Sequence, residues 1–145
     1  MANNEIARPN QVVLLDGTLD KPRLLRDLAE RAATALGLDG SKLAAALIRR
    51  EDLGSTGLGG GIAIPHTRVP GVQRPFSILA ILRTPIAFDA IDDQPVDVVF
   101  LLVAPDNGDA LKALAGISRI LREPTVLERL RHALSAQAAY DVLDP

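Results

Sequence analysis

Two stretches of this chain, Phe76–Leu82 and Asp97–Val103, are apolar at almost every position and show no alternation between wet and dry faces. Strands of that kind are buried on both sides, so the sheet that contains them needs helices on each face. The flanking sequence supplies them. Pro22 suits the first turn of a helix in which Leu24, Leu25, Leu28, Ala32, Ala35 and Leu36 recur at three- and four-residue spacing, and Gly37 stands where a left-handed residue would end it. Ser41 is placed to cap a second helix carrying Leu43, Leu47 and Ile48. From Gly108 the pattern is helical again, with Leu111, Leu114, Ala115, Ser118 and Leu121 as one stripe. Pro124 opens a further helix with Val126, Leu127, Leu130 and Leu134, and Ser135 caps a last one reaching Leu143. Val12–Leu15, ended by Asp16-Gly17, reads as a first strand, Ile62–Ile64 and Ile86–Phe88 as short ones, and Asp92-Asp93-Gln94-Pro95 as a turn. The expected fold is a three-layer α/β/α domain over residues 11–145, preceded by a polar tail, 1–10.

Composition narrows the function. A chain of 145 residues buries roughly 68–70% of its unfolded surface without help from disulfides or metals. Its formal net charge of -2 argues against a nucleic-acid partner, which calls for a basic face. Cysteine is absent, which removes disulfides, thiolate metal sites and thiol nucleophiles together. Aromatic residues make up 3%, too few for a wall of stacked rings around a base or sugar. No run approaches the ~20 apolar residues of a membrane span, and the polar start MANNEIARPN lacks a signal peptide's apolar core. The expectation is a cytoplasmic protein without membrane insertion.

Residues 51–66, EDLGSTGLGGGIAIPH, differ from everything around them. Five glycines form a backbone-dominated loop that runs into Ile62–Ile64, Pro65 and His66. Pro65 fixes the backbone just before the histidine, and the glycine amides can bind an anion. An imidazole so placed can serve as a covalent nucleophile if its ring is neutral and one nitrogen is left open. Transfer of a phosphoryl group then needs positive charge or N–H dipoles around the equatorial oxygens, for which Arg50, Ser55, Thr56 and the loop amides are the sequence candidates. A loop histidine with no chemical role is the bland alternative for His66, and a charge at a helix end, set against the dipole, is the bland alternative for Arg50. His132 reads as a partly exposed helix residue. The glycine loop lacks the Lys-Ser or Lys-Thr of a P-loop, a single nearby histidine makes zinc an unusual choice, and there is no Gly-x-Ser-x-Gly elbow.

The run from Arg50 to His66, with Leu53-Gly54-Ser55-Thr56-Gly57-Leu58-Gly59 and Gly61-Ile62-Ala63-Ile64-Pro65 between them, resembles the active-site signature of enzyme IIA of the bacterial phosphoenolpyruvate-dependent sugar phosphotransferase system. The type is fructose/mannitol IIA, most like its nitrogen-regulatory branch. The similarity continues through Arg74-Pro75, Phe88-Asp89-Ala90-Ile91-Asp92, Pro95-Val96-Asp97, Phe100–Pro105, Leu111-Lys112-Ala113-Leu114 and Ile117-Ser118-Arg119, and so covers residues 11–143. It implies a mixed central sheet and no cofactor. It implies that His66 takes a phosphoryl group, on Nε2, from an HPr-like phosphocarrier protein. Arg50 would help hold the phosphate, with Ser55, Thr56 and Gly61 in support. Sugar-transporting relatives pass the group to a IIB domain, whereas nitrogen-regulatory ones act on partners according to their phosphorylation state.

One position departs from the family. Many members carry a second histidine at the start of the helix after the Leu101-Leu102-Val103-Ala104-Pro105 strand, and the matching residue here is Ala110. No histidine lies between His66 and His132, so a shifted alignment does not restore it. This departure keeps open a regulator that docks on its partners with weak or no phosphotransfer.

Overall fold

The longest strands pair with each other. In the computed structural model, which describes residues 8–17, 19–106 and 109–143, β5 (Phe76–Ile86) runs antiparallel to β6 (Val96–Ala104), from Phe76 opposite Val103 to Ile81 opposite Val98. On β5, Ile78, Ala80 and Leu82 point into one apolar cluster while Leu79 and Ile81 point into another. On β6, Val99, Leu101 and Val103 face the first cluster and Val98, Phe100 and Leu102 the second. From Phe76 to Leu82 and from Val98 to Ala104 each side chain is therefore buried by the period of two, on whichever face it falls, whereas Arg83, Thr84 and Pro85 at the far end of β5 are exposed.

The remaining strands extend the pair in both directions. β1 (Gln11–Leu15) lies parallel to β5. On the other side β3 (Ile62–Ala63) and β4 (His66–Arg68) both run parallel to β6, and β2 (Gly57–Gly59) closes antiparallel on β3. The result is a mixed six-stranded sheet among the described residues. α1 (Lys21–Leu36) and α2 (Gly40–Leu53) cover the first cluster, and α3 (Asp109–Leu121), α4 (Pro124–Arg131) and α5 (Ala136–Leu143) cover the second. The three-layer α/β/α arrangement expected from the apolar strands is the one observed. No helix among the described residues is long and apolar enough to cross a membrane.

Local chemistry sets the helix ends. Asp20 caps α1 by accepting from the Arg23 amide at 2.9 Å, and Gly37 ends it at φ 70, a left-handed position that costs a residue with a Cβ. The expected cap of α2 is corrected: Asp39, not Ser41, accepts from the Ser41 and Lys42 amides, and the helix begins at Gly40. Ser135 does cap α5, accepting from the Ala138 amide at 3.0 Å.

Four further expectations are corrected. Ile86–Phe88 is not a separate strand, because β5 continues past an irregularity to pair Ile86 with Val96 and leaves Phe88 buried in the first cluster. The stripe on α3 is rotated: Ala110, Ala113, Ile117 and Leu121 are buried, whereas Ala115 is exposed and Leu111 is 68% exposed. Leu134 lies beyond α4 and is exposed, as is Ala35 on α1, where Ala29 and Ala33 are buried instead. Residues 1–7 of the polar tail, Gly108 as a helix start, and residues 144–145 lie outside the described residues.

The corrected cap is testable by substitution. Asp39→Ala should cost about 1 kcal/mol of stability, the usual worth of an N-cap, and Ser41→Ala less than about 0.5 kcal/mol. Urea unfolding that ranked the two the other way would return the cap to Ser41.

Candidate functional site

His66 owes its position to the edge of the sheet. β3 and β4 keep one register along β6: Ile62 faces Val98, Ala63 faces Val99, His66 faces Leu102 and Arg68 faces Ala104. Between them the Pro65 carbonyl accepts from the Leu102 amide at 2.9 Å. Proline has no N–H to offer the ladder, so the strand is interrupted without losing its register. The histidine that the sequence places at the end of a loop is in fact the first residue of a short strand. Short edge strands like β2 and β4 are held by their neighbours, not by their own pattern.

The interruption turns the Ile64 carbonyl to the imidazole. His66 Nδ1 lies 2.8 Å from this oxygen. A carbonyl can only accept, so Nδ1 carries the proton and Nε2 holds the lone pair. Among the described residues no hydrogen bond occupies Nε2. Burial of the ring is the main influence holding its pKa below the ordinary 6.5. The Ile64 bond opposes this, the Arg50 charge lowers the value further, buried Glu51 raises it, and Arg68 lowers it. The balance favours a neutral ring with one nitrogen available to attack.

The ring lies in a cleft of about 200 Å³ between the end of α2 and the side of α3, lined by Arg50, Ser55, Thr56, Leu58, Ile64, Leu114 and Ser118. Arg50 is a helix-end charge and also a wall of the cleft. Its Nη1 donates to the Gly54 carbonyl at 2.8 Å, where it meets the negative end of its own helix, and its guanidinium borders the histidine. That bond uses one of five donors and fixes the direction of the rest. Leu114 and Ser118 join the site because α3 packs across the sheet, a relation that no local pattern carries. Ala110 sits one turn before Leu114 on the same row of α3 and is buried against the sheet.

Ser55 and Thr56 reach the cleft but spend their hydroxyls elsewhere. Ser55 Oγ donates to the Phe88 carbonyl at 2.8 Å and accepts from the Gly57 amide. Thr56 donates from both its amide and its hydroxyl to the carboxylate of Glu51. Glu51 is the residue the sequence reading missed. Its carboxylate is almost fully buried and also takes Lys21 Nζ at 2.9 Å, while Lys21 lies over the Phe88 ring and donates to the Phe88 carbonyl. From there the order continues, because the Thr56 carbonyl accepts from the Ile64 amide at 3.1 Å and the Ile64 carbonyl accepts from His66. A buried carboxylate is thus linked to the imidazole through Thr56 and Ile64.

The glycines do not face the cleft as an anion cradle. The Gly60 amide already binds an anion, the Asp92 carboxylate, at 3.0 Å. Gly61 is not among the residues that line the cleft; it has φ 83, and its carbonyl accepts from the Asp97 and Val98 amides. A Cβ there would collide with the Arg131 guanidinium, which forms a paired contact with Asp97 at 2.9–3.0 Å and donates to the Gly60 carbonyl. The need for glycine at this position is explained by that clamp. His132 is exposed at the end of α4, with Nδ1 2.9 Å from the Glu128 carbonyl. Among the described residues no cluster of histidine and carboxylates could hold a metal ion.

Replacing Glu51 by alanine would leave Lys21 and the Thr56 donors facing a buried gap. The expected loss is about 3 kcal/mol, the low end for breaking a buried pair, since Lys21 retains some access to water. A urea-unfolding difference below about 1 kcal/mol would show that water substitutes for the carboxylate.

Comparison with known proteins places the chain in a family. Residues 5–145 match the family described as phosphoenolpyruvate-dependent sugar phosphotransferase system, EIIA 2. A nitrogen regulatory protein of Bradyrhizobium diazoefficiens is 39% identical over 145 residues, spanning 99% of this chain and 95% of that protein. Nitrogen regulatory protein IIA-Ntr from Neisseria meningitidis superposes with a TM-score of 0.85 at 30% identity, covering 99% of each chain. Enzyme IIA mannitol of Escherichia coli, solved in complex with phosphorylated enzyme IIB mannitol, shares the fold at a TM-score of 0.76 and 20% identity, over 99% of this chain and 96% of that one. A matching family over nearly the whole chain, full-length relatives and a common fold lead to one conclusion: this chain belongs to the EIIA type-2 family of the phosphoenolpyruvate-dependent phosphotransferase system.

Proposed function

We propose that the protein is a phosphocarrier that accepts a phosphoryl group on His66 Nε2 from a phosphorylated HPr-like protein, and that its phosphorylation state sets its binding to a regulatory target. The observation that carries this reading is the bond from Nδ1 to the Ile64 carbonyl, which leaves Nε2 as the nucleophile beside Arg50. The Nε2 lone pair would form the new bond to phosphorus as the bond from phosphorus to the donor nitrogen breaks, and the donor imidazole leaves with that electron pair. Positive charge then builds on the His66 ring, where Nδ1–H remains shared with Ile64. Arg50 meets the negative charge on the transferred oxygens. Exposed Leu53 and Leu111, on the two helices that wall the cleft, offer apolar contact to a docking protein. Likeness to nitrogen regulatory proteins favours a regulatory target over a IIB protein of a sugar permease.

A second reading has an observation of its own. Ala110 puts a methyl group where many relatives have an imidazole, so a binding regulator that passes phosphate on slowly also fits. The two readings share phosphorylation of His66 at most and differ in the onward rate.

Incubation with phosphoenolpyruvate, enzyme I and the HPr-like carrier should add one phosphoryl group by intact mass, and none to His66→Ala. Arg50→Ala should slow the addition by about a hundredfold, as loss of one charge-stabilising group does. An adduct that persists in His66→Ala, or none in the unaltered protein, would overturn the proposal.

The rate of phosphorylation should be flat above pH 6.5 and fall only below it, because the folded ring protonates below its ordinary value. The folded chain binds this proton more weakly than the unfolded chain, so the group also lowers stability as pH falls from about 6.5 through its folded pKa. Titration of the His66 ring signals by NMR with a midpoint at or above 6.5 would contradict both statements.

A further inference from the structure

A second groove, of about 270 Å³, lies where the first turns of α2 meet the end of β4 and the residues after it, Val69 and Pro70. Leu38, Leu43, Ala46 and Val69 make it apolar, and Lys42 and Arg68 stand at its rim. Both cations are exposed, and among the described residues neither makes an ion pair. The carboxylate that also borders the groove, Asp39, is committed to the amides of residues 41 and 42 as the helix cap. Apolar floor and positive rim together select a negatively charged, partly apolar occupant.

Size and openness favour one kind. Sites that enclose a small molecule run roughly 300–1,000 Å³; this groove, at about 270 Å³, falls at the bottom of that range and is open to solvent. It has room for one or two side chains of a longer segment. We propose that the groove between α2 and β4 is a docking site for an acidic segment of a target protein that inserts apolar side chains, and that phosphorylation of His66 weakens this docking.

The link to His66 is electrostatic and rests on the phosphocarrier reading. Arg68 is two residues from His66 on β4, and Arg50 is two turns from Lys42 along the same row of α2. The Arg68 charge is felt at the imidazole, so a charge placed on the imidazole is felt at Arg68. A phosphoryl group adds about -1.5 to -2 at neutral pH. It offsets the positive rim and repels the carboxylates of the segment.

The test uses a fluorescein-labelled peptide of alternating glutamate and leucine, an otherwise identical lysine–leucine peptide, and decanoate as a small amphipathic acid. Titrations are run at low ionic strength, because screening over about 8 Å at physiological salt shortens the effect. The acidic peptide should bind the unphosphorylated protein, shift the amide signals of residues 42, 46, 68 and 69, and bind about tenfold more weakly to Lys42→Glu. Lys42→Glu should still accept phosphate at the normal rate. Phosphorylated protein should bind the acidic peptide several-fold more weakly than the unphosphorylated form. Equal binding of the lysine peptide, equal binding to Lys42→Glu, or signal shifts elsewhere would overturn the docking site. Decanoate shifting the same amides where the peptide does not would overturn it in favour of a small-ligand site. Equal binding by phosphorylated and unphosphorylated protein would overturn the coupling. Failure of His66 to accept phosphate would instead sink the phosphocarrier reading, and leave peptide binding to unphosphorylated protein as a separate result.

Discussion

The parallel ladder along β6 is the constraint on which the rest of the site depends. It fixes β3 and β4 in one register, and Pro65 interrupts that register without shifting it. Because β6 is buried on both faces, its own position is set by two apolar clusters and by antiparallel pairing with β5. The imidazole therefore inherits the rigidity of the centre of the domain although it lies at an edge. The neighbouring β2–β3 turn is braced separately, by Asp92 on the Gly60 amide and by Arg131 on Asp97 and the Gly60 carbonyl.

Charge around the ring is arranged in two tiers. Arg50 and Arg68 oppose protonation of His66, and buried Glu51 favours it. The carboxylate does not reach the imidazole directly. It is neutralised by Lys21 and saturated by Thr56, and its structural effect travels through the backbone of Thr56 and Ile64. A site assembled this way presents positive charge outward and keeps its negative charge inside.

How much of this was legible in the sequence follows from which forces are local. The double-sided apolar strands announced a three-layer fold, and Gly37 and Ser135 marked helix ends correctly, because burial period and cap chemistry act within a few residues. Asp39 was passed over for Ser41 because both can cap and only geometry ranks them. The face of α3 was misread because the start of its buried stripe is made of small residues, Ala110, Ala113 and Gly116, while leucines at 111 and 114 turn away from the centre of the core. The glycine loop also has a structural use that no local pattern shows: the Gly60 amide binds Asp92, and Gly61 leaves room for Arg131. Glu51 and Leu114 carry no signal of their own. They become part of the site only when α2, the edge strands and α3 are brought together.

The bond from His66 Nδ1 to the Ile64 carbonyl has a consequence for how the protein tolerates change. In many sites the tautomer of a histidine is set by a carboxylate, and losing that one side chain disables it. Here the acceptor is main chain, present whatever residue stands at position 64. No single substitution deletes it, and its upkeep is shared among the ladder bonds that hold the strand. The tautomer with Nε2 open is thereby robust to mutation in its surroundings, so the residues that line the cleft can change without altering which ring nitrogen carries the proton.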